Sequence, residues 1–423
     1  MRPVRVLEVA DRYPYARIRN GSQCESRRDG TRRRSEPPRP IHLQPPSGGR
    51  PMTADFRITG YETRVLEVPE RTIGDSQTHV FETDELDYLY LELATDAGVT
   101  GVGIDLVELR APGRPSTETL HSRVDDVVGE VVGENPLALL NRRTRNRGGV
   151  HNFYSSGSYG PGVGVLLNMA LWDAAAKFFE QPLAEFMGAT DDSAPIYASG
   201  LSFGNDDETT REVYEGFAEV GGFDAAKVKV GYDTVDEDID RIELVDDVFG
   251  GLDTLMIDPN EAWTPKETLR KVQAIQDVGF DLYWIEDPVF RHDDDGMRRV
   301  REGLSDVNLT VGEYVGFEGK HGLLDAGAVD ILNLQGLSAA SDASTLAEPT
   351  GIDVAMSTDH GTDAMAVHAG LALPDVTYVE CCSHALLDHS EEPYVVEDGR
   401  VSITDTPGHG VAFDEETLES HSR

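Results

Sequence analysis

A chain of 423 residues with 77 acidic against 37 basic side chains carries a formal charge of -40, which repels nucleic acid and anionic membrane and excludes both as expected partners. Three cysteines, Cys24 and the adjacent Cys381 and Cys382, cannot build a disulfide framework, and no apolar run approaches the roughly 18 to 20 residues of a membrane span. A soluble, cytoplasmic protein is expected, with room for one large α/β barrel plus an accessory domain or for two or three ordinary domains. The acidic residues are spread along the chain and not gathered in a tail, which suggests a surface suited to high salt, a halophilic character.

Residues 1–51 are rich in Arg and Pro, lack lysine and hydrophobic period, and are net basic in an otherwise acidic chain. They read as a disordered or non-native extension, with Met52 as a more natural beginning; a basic nucleic-acid-binding arm is the alternative. From Arg57 to Val68 and from Tyr88 to Gly103, alternation and β-branched or aromatic residues predict antiparallel strands joined through a polar loop at Thr72 to Glu85. Helical patterns follow over 119–132 and 163–189, so 52–189 is expected to form a small α+β domain. The loop His151 to Gly160 carries more polar and aromatic groups than a connector needs, and either reaches over a neighbouring site or lies on the surface.

After Thr190 the texture changes to short apolar runs separated by longer helical patterns. The runs are Ala194 to Leu201, Ala225 to Val230, Leu252 to Asp258, Leu282 to Glu286, Leu309 to Glu313, Val329 to Gln335, Ile352 to Ser357 and Val376 to Cys381. Eight such runs predict a (β/α) barrel over 190–384; an open doubly wound sheet is the alternative, but no glycine-rich phosphate turn follows any run. Polar residues collect at the C-terminal ends: Lys227 and Lys229, Asp258 and Asn260, Glu286, Glu313, Gln335, Asp359 and His360, and Glu380. In a closed parallel barrel those ends share one rim, where active sites are built. Segment 385–423 contains a hairpin pattern from Tyr394 to Ile403, with Asp398-Gly399 as its turn, and then Pro407-Gly-His-Gly410. It is expected to return to the N-terminal domain.

Lys227 and Lys229 are two of only six lysines in the chain, and strand alternation puts them on one face with Val228 and Val230 on the other. Either this is a solvated edge strand, or the shared face looks into a site where burial or a like charge lowers a lysine toward a usable base. Asp258, Glu286 and Glu313 end three consecutive runs. Singly, each suits a cap or a salt bridge; side by side they repel unless a cation lies among them, and oxygen-only ligands suit Mg2+. A divalent ion beside lysines suits removal of a proton from the carbon next to a carboxylate.

The series Lys227-x-Lys229, Asp258-Pro-Asn260, Ile285-Glu-Asp-Pro288, Gly312-Glu313 and the histidine after the seventh run resembles the enolase superfamily, in its mandelate racemase and muconate lactonizing branch. Ala170-Leu-Trp-Asp-Ala-Ala-Ala-Lys177 and the Pro407-Gly-His-Gly410 tail are similar to that branch as well, so the likeness covers about 55–415. It implies an α+β capping domain over a modified (β/α)7β TIM-type barrel, a small-molecule carboxylate substrate and a homo-oligomer. It further implies Asp258, Glu286 and Glu313 as Mg2+ ligands, Lys229 as base and Lys227 as partner of the substrate carboxylate. His360 is implied as acid or base on the opposite face, and Glu380 as a hydrogen-bonding group near that carboxylate. Asn260 either supports metal or substrate or caps the next helix. Gln335 stands where racemase-like relatives carry the aspartate that orients the histidine and muconate-type ones a lysine; either it orients His360 as an amide, or Asp359 or Asp363 does so, or His360 is not catalytic. His368 is expected to be a packed residue. The reaction expected is dehydration of a sugar acid to a 2-keto-3-deoxy acid; a racemase, epimerase or cycloisomerase using the same enediolate chemistry, or a non-catalytic barrel, are the alternatives.

Overall fold

The computed structural model describes residues 55–73, 82–107, 116–140, 163–189, 191–200, 206–220, 222–231, 234–313, 315–337, 339–358, 363–382 and 393–423. The N-terminal extension, the loops 75–78 and 152–159, and the pair Asp359 and His360 lie outside them.

Three strands, β1 (Ile58–Ile73), β2 (Glu82–Thr95) and β3 (Thr100–Leu106), form an antiparallel sheet in the order β1-β2-β3. The alternation from Tyr88 to Gly103 runs over two strands, because Thr95 N donates to Val99 O across a tight reversal. The helices α1 (Thr117–Val128), α2 (Pro136–Leu140), α3 (Val163–Phe178) and α4 (Leu183–Met187) complete this part. One helix was expected over 163–189; the left-handed backbone of Glu180 (φ 57) and Pro182 at the N-cap of α4 divide it. Helix α3 lies against β3 at very short range. A Cβ on Gly101 would stand 2.1 Å from the carbonyl oxygen of Ala170, and one on Gly103 2.1 Å from that of Leu166.

The rest of the chain alternates β4 (Ala194–Ser199), α5 (Asp207–Val220), β5 (Ala225–Lys229), α6 (Val235–Phe249), β6 (Thr254–Asp258), α7 (Pro265–Asp277), β7 (Leu282–Glu286), α8 (Asp294–Gly303), β8 (Asn308–Val311) and α9 (Phe317–Ala326). Then come β9 (Ile331–Gln335), α10 (Ala339–Asp342) running through a π-helical turn at Ala343–Ala347 into α11 (Glu348–Thr350), β10 (Asp353–Ser357), α12 (Asp363–Leu371) and β11 (Val376–Cys382). Every neighbouring pair from β4 to β11 is parallel, and β11 pairs with β4 through Val379 and Ile196. The sheet is thus a closed eight-stranded barrel, not an open doubly wound one, and each of its first seven strands is followed by helix.

Strand alternation decides what the barrel holds. Tyr197, Ala225, Met256, Trp284, Ile331 and Ala355 pack together as an apolar cluster. Two residues further along the same strands stand Ser199, Lys227, Asp258, Glu286, Asn333 and Ser357, all buried, so a polar layer lies directly on the apolar one. The intervening residues Val228, Ile257 and Ile285 face outward into the large core shared with the helices.

After β11, the hairpin of β12 (Tyr394–Glu397) and β13 (Arg400–Ile403) turns at Asp398 (φ 50) and Gly399 (φ 69), the left-handed pair of a type I′ turn. Strand β13 joins the barrel, pairing Arg400 with Pro195 and Val401 with Ala194. The remainder runs to the first sheet: Gly408 bridges Pro182, Ser422 bridges Leu66, and Arg423 meets buried Asp87 at 3.1 Å, with α13 (Glu415–His421) between. Buried Asp173 on α3 accepts from Val102 N (2.8 Å) and His409 N (3.0 Å) and pairs with Lys177 (2.6 Å), so one carboxylate ties β3, α3 and the tail together. Among the described residues no helix is long and apolar enough to cross a membrane.

Gly101→Ala is expected to cost about 2–3 kcal/mol through the forced separation of β3 and α3, whereas Gly60→Ala, where an added Cβ meets nothing within 4 Å, should stay within about 0.5 kcal/mol; urea midpoints distinguish the two. His368 is buried, as expected of a packed residue, and its Nδ1 accepts from Ala184 N at 3.0 Å. Burial lowers its pKa to about 3. An unfolded histidine takes up a proton below about 6.5, so the neutral ring contributes stability that is complete above that pH and is lost as pH falls toward 3. The stability gap between wild type and His368→Gln should accordingly narrow between pH 7 and pH 4; a constant gap contradicts the assignment.

Candidate active site

Each strand-end residue named from the sequence and described in the structure reaches the polar layer by its own route. On β5, Lys227 is 1% exposed and Lys229 6%, which removes the reading of a solvated edge strand. Lys227 Nζ lies 2.7 Å from Glu380 Oε1, 3.0 Å from Glu286 Oε2 and 3.5 Å from Asp258 Oδ2, and 5.6 Å from the centre of the Tyr197 ring beneath it. Lys229 Nζ donates to Asp258 Oδ2 and Asn260 Oδ1, each at 2.5 Å.

Asp258 ends β6 and accepts from Asn260 N at 2.9 Å. Asn260 does not cap the following helix: Thr264 does, in a reciprocal capping box with Glu267, which frees the Asn260 side chain for Lys229. Glu286 ends β7 and is fully buried; its Oε1 accepts from Asn333 Nδ2 at 2.9 Å. Glu313 follows β8 by two residues and is 8% exposed. Its neighbour Gly312 has φ 142, and a Cβ there would stand 2.3 Å from the carbonyl oxygen of Asn333, so this turn accepts only glycine. Glu380 Oε2 on β11 accepts from Ser357 Oγ and Thr358 N, both at 3.0 Å. Gln335 Nε2 donates to the carbonyl of Thr358 at 3.3 Å, on the strand that leads to His360.

The electrostatics differ from the sequence reading in one respect. Burial presses both lysines toward the neutral form and is the largest single influence on each, but the surrounding acidic groups together outweigh it: Asp258, Glu313 and Glu286 at Lys229, and Glu286, Glu380 and Asp258 at Lys227. Both are therefore raised above the ordinary lysine value, not lowered, and both stand as ammonium groups. Glu380 is held at about 2: burial opposes ionisation, but the charge and hydrogen bond of Lys227 prevail. It is thus an acceptor and not a donor. Glu286 goes the other way, pushed well up by burial and by the negative charges of Asp258 and Glu313, against which Lys227 is insufficient.

Four buried acidic side chains, Asp258, Glu286, Glu313 and Glu380, face two ammonium groups, Lys227 and Lys229; their crowding pushes Glu286 toward its neutral form, and a divalent cation among them would supply the positive charge that lets all four ionise. All the anionic donors are oxygens, the ligands of a hard ion. Among the described residues no three His, Cys, Asp or Glu side chains are already gathered on one point to hold a metal ion, since Lys229 takes up Asp258 while Lys227 and Asn333 take up Glu286. The donor set fits such an ion in its chemistry; Asp258, Glu286 and Glu313 would hold it, and in the structure Asp258 and Glu286 pair with the ammonium groups.

The sequence reading missed Asn333, Ser357 and Arg291. Asn333 lies two residues before Gln335 on one strand, the spacing that singled out the lysine pair, and could have been found by it. Ser357, as a small hydroxyl at a strand end, gave no such signal.

Two family models match the chain: "Mandelate racemase / muconate lactonizing enzyme, N-terminal domain" over residues 61–188 and "Enolase C-terminal domain-like" over 209–417. The chain is 32% identical over 263 residues, 60% of this chain and 70% of the relative, to a 3,6-anhydro-alpha-L-galactonate cycloisomerase of Streptomyces coelicolor. Curated relatives at lower identity include an L-Lys-D/L-Arg epimerase of Methylococcus capsulatus and an L-talarate/galactarate dehydratase of Salmonella typhimurium. Among solved structures, a putative mandelate racemase from Mesorhizobium loti superimposes with a TM-score of 0.76 at 32% identity, covering 87% of this chain and 95% of that one. A racemase from Streptomyces coelicolor with bound magnesium does so with a TM-score of 0.70 at 26% identity, covering 86% and 100%. The barrel, its sheet-and-helix companion and these matches agree: the chain belongs to the enolase superfamily, in its mandelate racemase and muconate lactonizing branch.

Proposed function

We propose that this protein is a Mg2+-dependent dehydratase of a sugar acid, which removes the proton next to the substrate carboxylate and eliminates the 3-hydroxyl. The observation that carries the reading is the buried set of Lys227, Lys229, Asp258, Glu286, Glu313 and Glu380, four acidic side chains against two basic ones, at the C-terminal rim of the barrel. Relatives named for galactonate, talarate and galactarate support a sugar acid as substrate, and the magnesium in a structural neighbour supports the choice of ion.

Asp258, Glu286 and Glu313 would hold the ion. When bound, it supplies positive charge that draws electrons into the substrate carboxylate and offsets the attraction of Asp258 that keeps Lys229 protonated. Lys229 is the base: it is the less enclosed of the two lysines, and Asn260 Oδ1 orients its Nζ. Lys227, locked between Glu286 and Glu380, stays charged and gives the substrate carboxylate a fixed cation. Asn333 holds one oxygen of Glu286, and Ser357 and Thr358 hold one oxygen of Glu380 in place, while Lys227 keeps that carboxylate ionised. His360 is assigned by the motif as the acid that protonates the departing hydroxyl; Gln335 aligns the strand end before it through Thr358. Two outcomes of the same proton step compete. The 32% identity to a cycloisomerase favours an isomerising reading, in which the product keeps the mass of the substrate.

Incubation with Mg2+ and a panel of aldonic and aldaric acids should give a product lighter by one water and reactive with semicarbazide. A product of unchanged mass turns the assignment to cycloisomerase or epimerase, the latter marked by deuterium returned from solvent into the substrate. Lys229→Met should lower kcat/KM by about 10²- to 10⁴-fold, the contribution of a positioned base. Undiminished turnover in that variant would remove Lys229 from the role.

A further inference from the structure

Outside the six charged groups above, one buried cation touches all three loops on which they depend. Arg291, 5% exposed, follows β7 by five residues and reaches in three directions. Its backbone N and its Nε donate to Glu261 Oε1 at 2.8 and 2.9 Å. Its Nη1 donates to the backbone carbonyl of Glu313 at 3.3 Å, and its Nη2 lies 3.3 Å from Asp287 Oδ2. Glu261 follows Asn260 in the loop after β6, Asp287 follows Glu286 after β7, and Glu313 closes the turn after β8. The loops are also stitched by backbone, with Glu261 N donating to Asp287 O at 2.6 Å and Trp263 N to Pro288 O at 3.0 Å.

The backbone here is costly. Asn260 (φ 37), Glu261 (φ 67) and Asp287 (φ 36) are three of the six non-glycine residues with positive φ among the described residues, and such conformations persist only where surroundings enforce them. A planar guanidinium suits this task, since its five donors are held in a fixed fork wide enough to meet three separate loops, where a lysine offers a single nitrogen.

We infer that Arg291 is a positioning residue for the cation site, holding the loops after β6, β7 and β8 so that Asp258, Glu286 and Glu313 can converge on one ion. The inference rests on the metal assignment above. Arg291 itself binds neither ion nor substrate; it fixes the chain on either side of the groups that do.

Calorimetric titration of the apo-protein with Mg2+ tests it without recourse to turnover. Arg291→Lys and Arg291→Met should weaken Mg2+ binding by about 10- to 100-fold, the usual effect of removing a partner behind a metal ligand, and Glu261→Gln, which retains an acceptor for Arg291, should weaken it less. Lys320→Met, which breaks the buried pair with Asp342 (3.1 Å) between α9 and α10, serves as the control for lost stability. It should lower the melting temperature yet leave Mg2+ affinity unchanged. If wild type binds Mg2+ and the Arg291 variants bind it equally, or lose affinity only as far as the Lys320 variant does, the positioning role is wrong while the metal site stands. If wild type binds no Mg2+, both fall. Arg291→Lys keeps the test alive should Arg291→Met fail to fold.

Discussion

Charge burial at the end of a closed sheet is the constraint from which the rest follows. A lone carboxylate or ammonium taken from water into such a place would shed its charge or unfold the chain. Here six such groups are buried together, and five of them are held by mutual pairing: Lys227 among Glu286, Glu380 and Asp258, and Lys229 against Asp258. Removing one member would leave its neighbours unpaired. The apolar plug of Tyr197, Met256 and Trp284 below closes the barrel to water from its other end, and the polar layer occurs where alternation next brings side chains inward.

That alternation is also why so much was readable in advance. Two lysines spaced by one residue in an apolar strand have few structural excuses, and carboxylates ending consecutive strands in a parallel barrel must be neighbours. All eight barrel strands begin and end within two residues of the expected limits because apolar runs mark them directly. Less was readable where one residue overrules a pattern. Glu180 and Pro182 broke a helix whose apolar period continued across them. The direction of the lysine shifts depended on which carboxylates come within 3 Å, a fact of tertiary distance that no strand pattern contains. Arg291 was hidden for the same reason, since its partners come from three different loops.

The sheet of β1 to β3 and the C-terminal tail depend on an older kind of economy, the close approach permitted by glycine. With no side chain on Gly101 or Gly103, α3 settles onto β3, and Asp173 can then reach Val102 N, His409 N and Lys177 at once. The tail therefore serves two masters: β13 extends the sheet at β4, and the stretch from Gly408 onward fastens to β1, α3 and α4. Barrel and sheet are coupled through covalent chain as well as through packing.

The interior also claims nearly every lysine the chain has. Lys227 and Lys229 serve the barrel, Lys177 is paired with Asp173, Lys271 with Asp238 at 3.1 Å while lying 4.6 Å from the centre of the Trp263 ring, and Lys320 with Asp342. Only Lys266, at the start of α7, is exposed. To amine-directed chemistry the folded molecule thus presents few side-chain handles for a succinimidyl dye or a coupled surface, Lys266 openly and Lys177 in part at 25% exposure, while denaturation would unmask the buried lysines.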